Sequence, residues 1–120
     1  MKTALILFAH GARDPEWANP IRCVRAAMLD LAPQQRVELA FLEFMQPGLT
    51  DCAQQLVAEG YQRITVVPMF IAQGGHLKKD VPVLLDTLRS QHPGCEFVLT
   101  PPVGESASVI AAMAEYALAQ

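Results

Sequence analysis

The stretch Arg63 to Asp80, RITVVPMFIAQGGHLKKD, constrains the fold more than any other part of the chain. It opens with Ile64, Val66 and Val67, a β-branched run that reads as a buried strand of a parallel sheet. It closes with a glycine pair, a histidine, two lysines and an acid. In open α/β sheets ligands sit outside the carboxyl ends of the strands, so a polar loop that follows such a strand lies where chemistry is expected. His76 is a candidate on position alone.

The rest of the chain repeats the same unit. Lys2 to Phe8 is an apolar strand, after which Asp14 as N-cap and Pro15 at the first helical position predict a helix to about Leu31, ended by Pro33. Trp17, Ile21, Val24, Met28 and Leu31 form one apolar stripe along it, facing a sheet, with Arg22, Arg25 and Asp30 on the wet side. Arg36 to Leu42 is a second strand, and Pro47-Gly48 opens a second helix with Leu49, Cys52, Ala53, Leu56 and Val57 inward and Gly60 as its stop. Asp80 is expected to cap a third helix, with Pro82 in its first turn, Val81, Leu84, Leu85 and Leu88 as its apolar face and His92-Pro93-Gly94 as its break. Glu96 to Thr100 is the fourth strand; Pro101-Pro102 and Gly104 make a turn, and Ser106 starts a last helix carrying Val109, Ile110, Met113 and Ala117. Four β-α units predict one α/β domain over residues 1–120, a four-stranded parallel sheet with helices on both faces and right-handed crossovers.

Composition narrows the partners. A hydrophobic content of 52% supports one substantial core, and 120 residues leave no room for a second domain. Nine Lys and Arg stand against twelve Asp and Glu, and no basic run is longer than Lys78-Lys79, which argues against nucleic acid. Cys23, Cys52 and Cys95 are odd in number and form no C-x-x-C pair, the usage of reduced thiols packed as small core residues in the cytoplasm. The apolar run Ala4 to Ala9 ends in His10-Gly11-Ala12-Arg13-Asp14, too early and too polar for a signal peptide, and nothing approaches a membrane span.

On this frame His10 follows the first strand, Glu43 the second and His76 the third, so all three share one rim. Two imidazoles and a carboxylate suit a borderline divalent ion such as Zn²⁺, Co²⁺, Ni²⁺ or Fe²⁺, and three protein ligands leave positions open for a substrate. Taken singly, a histidine is more often a hydrogen-bonded loop residue, and carboxylates on a rim are common. His92 sits at the opposite edge, at the end of the third helix, and reads as structural.

Four segments then carry a resemblance: LFAHGARDP, VELAFLEFMQP, ITVVPMFIAQGGHLKKDVP and CEFVLTPPVG. Together they resemble the short form of the sirohydrochlorin cobaltochelatases, the class II, ATP-independent tetrapyrrole chelatases, over about Thr3 to Gly104. The resemblance implies a flavodoxin-like, chelatase-like half domain that inserts a divalent metal into sirohydrochlorin in cobalamin or related tetrapyrrole biosynthesis. It implies His10 and His76 as metal-site residues, with Glu43 as a third. The metal is substrate, Co²⁺ first with Ni²⁺ or Fe²⁺ open, and no prosthetic group is expected. The first motif departs from the family's HGSRD by having Ala12 in place of serine. The short form further implies a homodimer facing itself across a cleft, since a flat macrocycle is wider than one four-stranded rim.

The substrate's eight carboxylates call for cations on that rim, and Arg13, Lys78 and Lys79 are either placed to meet them or are ordinary solvated charge. Gly74 and Gly75 either let backbone approach the ring or merely turn the chain. Phe44, Met45, Met69 and Phe70 either wall the site or pack the core. Two other readings use the same residues. One is a non-catalytic carrier of divalent metal. The other is phosphotransfer through His10, which is disfavoured by Ala9 where histidine phosphatases carry an arginine and by the lack of a phosphate-cradling loop.

Overall fold

Strand β1 (Thr3–Ala9) lies between β2 (Arg36–Phe41) and β3 (Arg63–Pro68), and β4 (Glu96–Leu99) pairs with the far side of β3, all in parallel. The computed structural model describes the backbone of all 120 residues and every side chain except that of His76. Ala4 is level with both Arg36 and Ile64, so β1, β2 and β3 end within one residue of each other and open a common carboxyl rim. The order β2-β1-β3-β4 reverses direction between β1 and β3, which makes that point of the rim the topological switch of the sheet.

The period-two alternation of the strands sorts their side chains into two layers. Ala4, Ile6 and Phe8 of β1 join Ile64 and Val66 of β3 in the main core. Against them pack α2 (Leu49–Ala58), through Cys52, Ala53 and Leu56, and α3 (Gly75–Gln91), through Leu77, Val81, Leu85 and Leu88. Ile6, Ile64, Val66 and Leu85 are fully buried, and each such aliphatic side chain contributes about 1.5–3 kcal/mol. On the second face a smaller cluster of Ala9, Ala18 and Phe41 is covered by Ile21 of α1 (Asn19–Leu31).

Both edge strands are blunted by an arginine from a neighbouring helix. Arg25 of α1 donates from Nε to the Val37 carbonyl of β2 at 2.7 Å, and Arg89 of α3 donates from Nη2 to the Phe97 carbonyl of β4 at 2.8 Å. A planar, permanently charged donor thus occupies an acceptor that another chain's strand would otherwise use. Arg25 is half-buried in this role, not on the wet side as its place in the stripe suggested.

Three further expectations need correction. Asp14 does cap, its Oδ1 accepting from the Glu16 N–H at 3.0 Å, but it caps a 3-10 turn at Pro15–Ala18, and α1 begins only at Asn19. The stripe of α1 is half realised: Ile21 and Met28 are half-buried, Trp17 and Val24 are exposed and Leu31 is 88% exposed. The helix packs on β1, β2 and the 3-10 turn before it, and this leaves the outer part of the stripe uncovered. The third helix starts five residues before Asp80, at Gly75, and carries Pro82 inside it. Proline lacks the N–H that would reach back to the Lys78 carbonyl, yet the apolar face Leu77, Val81, Leu85 and Leu88 holds the helix through that gap.

The last helix, α4 (Ala107–Leu118), follows a 3-10 turn at Val103–Glu105 and has no buried residue. It carries a single charge, Glu115, and Ile110, Met113, Tyr116 and Leu118 are all exposed. Helices apolar on nearly all sides are ordinarily buried. Thr65, Val67 and Val98, on the same sheet face as α1 but over the two strands away from it, are only half-buried, whereas Ile64 and Val66 on the other face are fully so.

The cysteines divide. Cys52 and Cys95 are buried, while Cys23 on α1 is exposed, against the expectation that all three pack the core. Burial pushes the Cys52 thiol up to about 11 and raises that of Cys95 as well. At pH 8 a disulfide-exchange reagent is therefore expected to titrate one thiol per native chain and three in denaturant; rapid native labelling of Cys52 contradicts this packing.

Candidate functional site

Past the ends of the strands the backbone ladder continues for two more bonds. The Leu42 N–H donates to the Ala9 carbonyl at 2.9 Å, and the Glu43 N–H donates to the His10 carbonyl at 3.0 Å. His10 and Glu43 are thereby fixed side by side at the carboxyl rim, His10 next to the switch point between β1 and β3 and Glu43 on its β2 side, both exposed. On the other flank the Met69 N–H donates to the Phe8 carbonyl at 2.7 Å, which leads the chain into Phe70. The buried Phe70 ring lies under the imidazole of His10, centroids 4.4 Å apart at 42°, and itself rests edge-on against Phe8 at 5.8 Å. The histidine is supported from below by the core and open above.

Two glycines make these approaches possible. Gly11 has φ +88°, and a Cβ there would overlap the Glu43 carbonyl. Gly104, on the loop after β4, lies so close to the Ile71 backbone that a Cβ would overlap the Ile71 carbonyl; its N–H donates to the Phe70 carbonyl at 3.0 Å. The loops after β1 and β2 are thus locked together by Gly11, and those after β3 and β4 by Gly104. Gly74 and Gly75 differ: neither has a positive φ, and a Cβ on either would meet nothing within 4 Å. The fold itself does not require glycine at those two positions.

His76 lies in the first turn of α3, at the same rim, and its side chain is outside the described residues. Among the described residues no three His, Cys, Asp or Glu side chains converge as a metal group. Lys78 and Lys79 are exposed in that same first turn, not in a loop as the later helix start had implied. Cations at the positive end of a helix oppose its dipole, so stability does not account for them.

The cations of the chain divide accordingly. Lys2, Arg22, Arg25, Arg36, Arg63 and Arg89 each donate to a carbonyl, amide or carboxylate of the protein. At the opposite, amino-terminal end of the sheet, Arg36 meets Glu59 at 2.7 Å and holds that carboxyl below its ordinary range. Among the described residues Arg13, Lys78 and Lys79 make no ion pair, and all three stand at the carboxyl rim.

Apolar groups complete the rim. Phe44 is 58% exposed, Ile71 72% and Leu42 43%. Phe70 belongs to the main core, and Met45 and Met69 are half-buried against the smaller cluster, so of the four wall candidates only Phe44 faces outward. Leu42 and Ile71 went unnoticed in the sequence, although an apolar residue beyond a strand's end and before a polar loop is the signal that marks both. Larger hollows of the surface lie elsewhere, about 360 Å³ and 480 Å³ along the outer side of β2, and His10 lines neither. His92, at the end of α3, has its Nε2 buried without a partner and its ring near Phe97, far from the rim.

A protein-family model named CbiX matches residues 4–119. A protein named sirohydrochlorin cobaltochelatase from Sulfurisphaera tokodaii is 32% identical over 100 residues, covering 83% of this chain and 78% of that one. One of the same name from Priestia megaterium is 33% identical over 104 residues, 87% of this chain, but this chain spans only 33% of its length. A solved structure from Marinobacter aquaeolei, described as a putative cobalamin (vitamin B12) biosynthesis CbiX protein, shares the fold with a TM-score of 0.83 at 28% identity, covering 96% of this chain and 93% of that one.

Gly11→Ala should cost roughly 1–3 kcal/mol or more, because it adds both the unfavourable φ and the collision with Glu43. Thermal melts should show that loss for Gly11→Ala and none for Gly74→Ala; equal stability of the two variants would contradict the close approach of the loops.

Proposed function

The chain belongs to the CbiX family, and from that premise we propose that it is an ATP-independent chelatase which inserts a divalent metal, Co²⁺ first, into sirohydrochlorin. The observation that carries the reading is the distribution of cations. Every lysine and arginine elsewhere donates to a group of the protein, and the three that make no ion pair among the described residues stand on the loops and helix start that follow β1 and β3, at the same rim as the exposed His10. A polycarboxylate ring needs such charges on a chain of net charge -3. Leu42, Phe44 and Ile71 offer the flat apolar face something to lie on, and the glycine pair at 74 and 75, unneeded by the fold, leaves space for its approach.

In this mechanism the metal is a substrate. His10 and His76 hold the ion through neutral imidazole nitrogens, Glu43 adds a carboxylate, and the remaining positions stay exchangeable. As ring nitrogens replace these ligands two pyrrole protons leave, each taken up by one of the same three groups as it is freed from the metal and then passed to water. Phe70 beneath His10 keeps that imidazole turned toward the incoming ring. Release follows because the product's metal is satisfied by the macrocycle and no longer by the protein. We place the enzyme in the cytoplasm, in keeping with its three unpaired thiols.

The working unit is a homodimer. One rim is an open surface, half of the enclosure a macrocycle needs, and α4 supplies the means of pairing. Its apolar surface and the half-buried strip of Thr65, Val67 and Val98 are two unsatisfied faces on one chain. A twelve-residue helix is about 18 Å long and about 10 Å across; exchanging one from each chain onto the other's sheet buries roughly 1,500 Å² in all, the size of a standard stable interface.

Two measurements test these readings. His10→Ala and His76→Ala should each abolish cobalt insertion, followed by the absorption change of sirohydrochlorin, while the far-ultraviolet circular dichroism stays native; turnover retained in either removes the assigned ligands. Ile110→Asp with Met113→Asp should convert a dimer to a monomer by light scattering, and a dimer unaffected by both charges would rule out α4 as the contact.

A further inference from the structure

Phe44 stands in a backbone conformation that a residue with a Cβ seldom takes, φ 65°, and among the described residues it is the one non-glycine residue with a positive φ. Burial does not account for it, since the ring is more than half exposed. What the ring does touch is Arg13, whose guanidinium carbon lies 4.9 Å from the ring centroid. Arg13 has no carboxylate partner among the described residues.

A disfavoured backbone persists only where its surroundings over-determine it, and here both sides are pinned. On the amino side the Glu43 N–H is bonded to the His10 carbonyl, and Gly11 is packed against the Glu43 carbonyl. On the carboxyl side Phe41 and Gly48 bridge, with the Phe41 N–H donating to the Pro47 carbonyl at 2.9 Å. The loop is held at both ends, and the ring is set on the rim beside the candidate ligands.

We propose that Phe44 is a positioning residue that holds Arg13 as an anchor for a peripheral carboxylate of the tetrapyrrole. The inference rests on the functional reading above and adds to it. A guanidinium attracted through its flat face to an aromatic ring keeps its N–H donors free at its edge, where a carboxylate takes two of them side by side. The ring thereby restricts a long, exposed side chain before the substrate arrives, which lowers the ordering cost of binding. The strained backbone is what aims an exposed ring at an arginine from a different loop.

The test is steady-state cobalt insertion into sirohydrochlorin by the full chain, comparing wild type with Arg13→Ala, Phe44→Leu, Phe44→Trp and the Arg13→Ala/Phe44→Leu double variant. Phe44→Leu should raise KM for the tetrapyrrole about three- to tenfold, with the loss falling on KM and not on kcat, and Phe44→Trp should restore it. The double variant should be no worse than Arg13→Ala alone, because a ring with no guanidinium to hold contributes nothing. Phe44→Asn, which suits the left-handed backbone, should melt at least as high as wild type and still show the raised KM, so a folding defect cannot stand in for the effect. An unmoved KM in Phe44→Leu, or a double variant whose KM is the product of the single effects, overturns the assignment. Wild type that inserts no metal overturns the functional reading itself, together with the ligand named here. Active wild type with an indifferent Phe44 overturns this inference alone.

Discussion

The hydrogen bond from the Glu43 N–H to the His10 carbonyl is the constraint from which the candidate site follows. It extends the β1–β2 ladder beyond the sheet, so two residues distant in sequence take on the spacing of paired strands. For that bond to form, the chain after His10 must turn within one residue of the Glu43 carbonyl. Only glycine fits there, and Gly11 occupies the position with φ +88°. The loop after β2 is then fixed from one side, and Phe44 takes up its left-handed backbone within it.

The same sheet separates two kinds of charge. At its amino-terminal end Lys2, Arg36, Glu59 and Tyr61 satisfy one another, with the Lys2 Nζ 4.5 Å from the Tyr61 ring centroid. At its edges Arg25 and Arg89 are spent on strand carbonyls. The carboxyl rim retains charge that the protein does not use, together with apolar side chains that the core does not cover. Binding surfaces are recognised by this surplus more than by depth, and the larger hollows beside β2 lie away from it. Those hollows are by-products of an edge strand between two helices.

Much of this was legible in the sequence. The four strands, the inward faces of α2 and α3 and the Gly60 stop follow from patterns that local sterics and burial enforce together. The failures have physical causes. Asp80 and Pro82 carry the local signature of a helix start, but Leu77 belongs to the same buried face as Val81 and Leu85, and its burial draws the helix back to Gly75. The stripe of α1 is regular, yet a stripe says only that a helix can be buried on one side. How much of it is buried depends on what lies opposite, and here that is chiefly two strands.

By itself the sequence determined the parallel α/β architecture, the rim on which His10, Glu43 and His76 lie, and the family, because strand burial, helix periodicity and short motifs are local properties of the chain. Tertiary structure decided which groups are left over. That Arg13, Lys78 and Lys79 make no ion pair among the described residues, that Phe70 supports His10, that Arg13 lies on the Phe44 ring and that α4 has no buried residue depend on contacts between segments tens of residues apart. No local pattern carries that information, since the free energy of a contact belongs to the pair and exists only once the sheet has brought its members together.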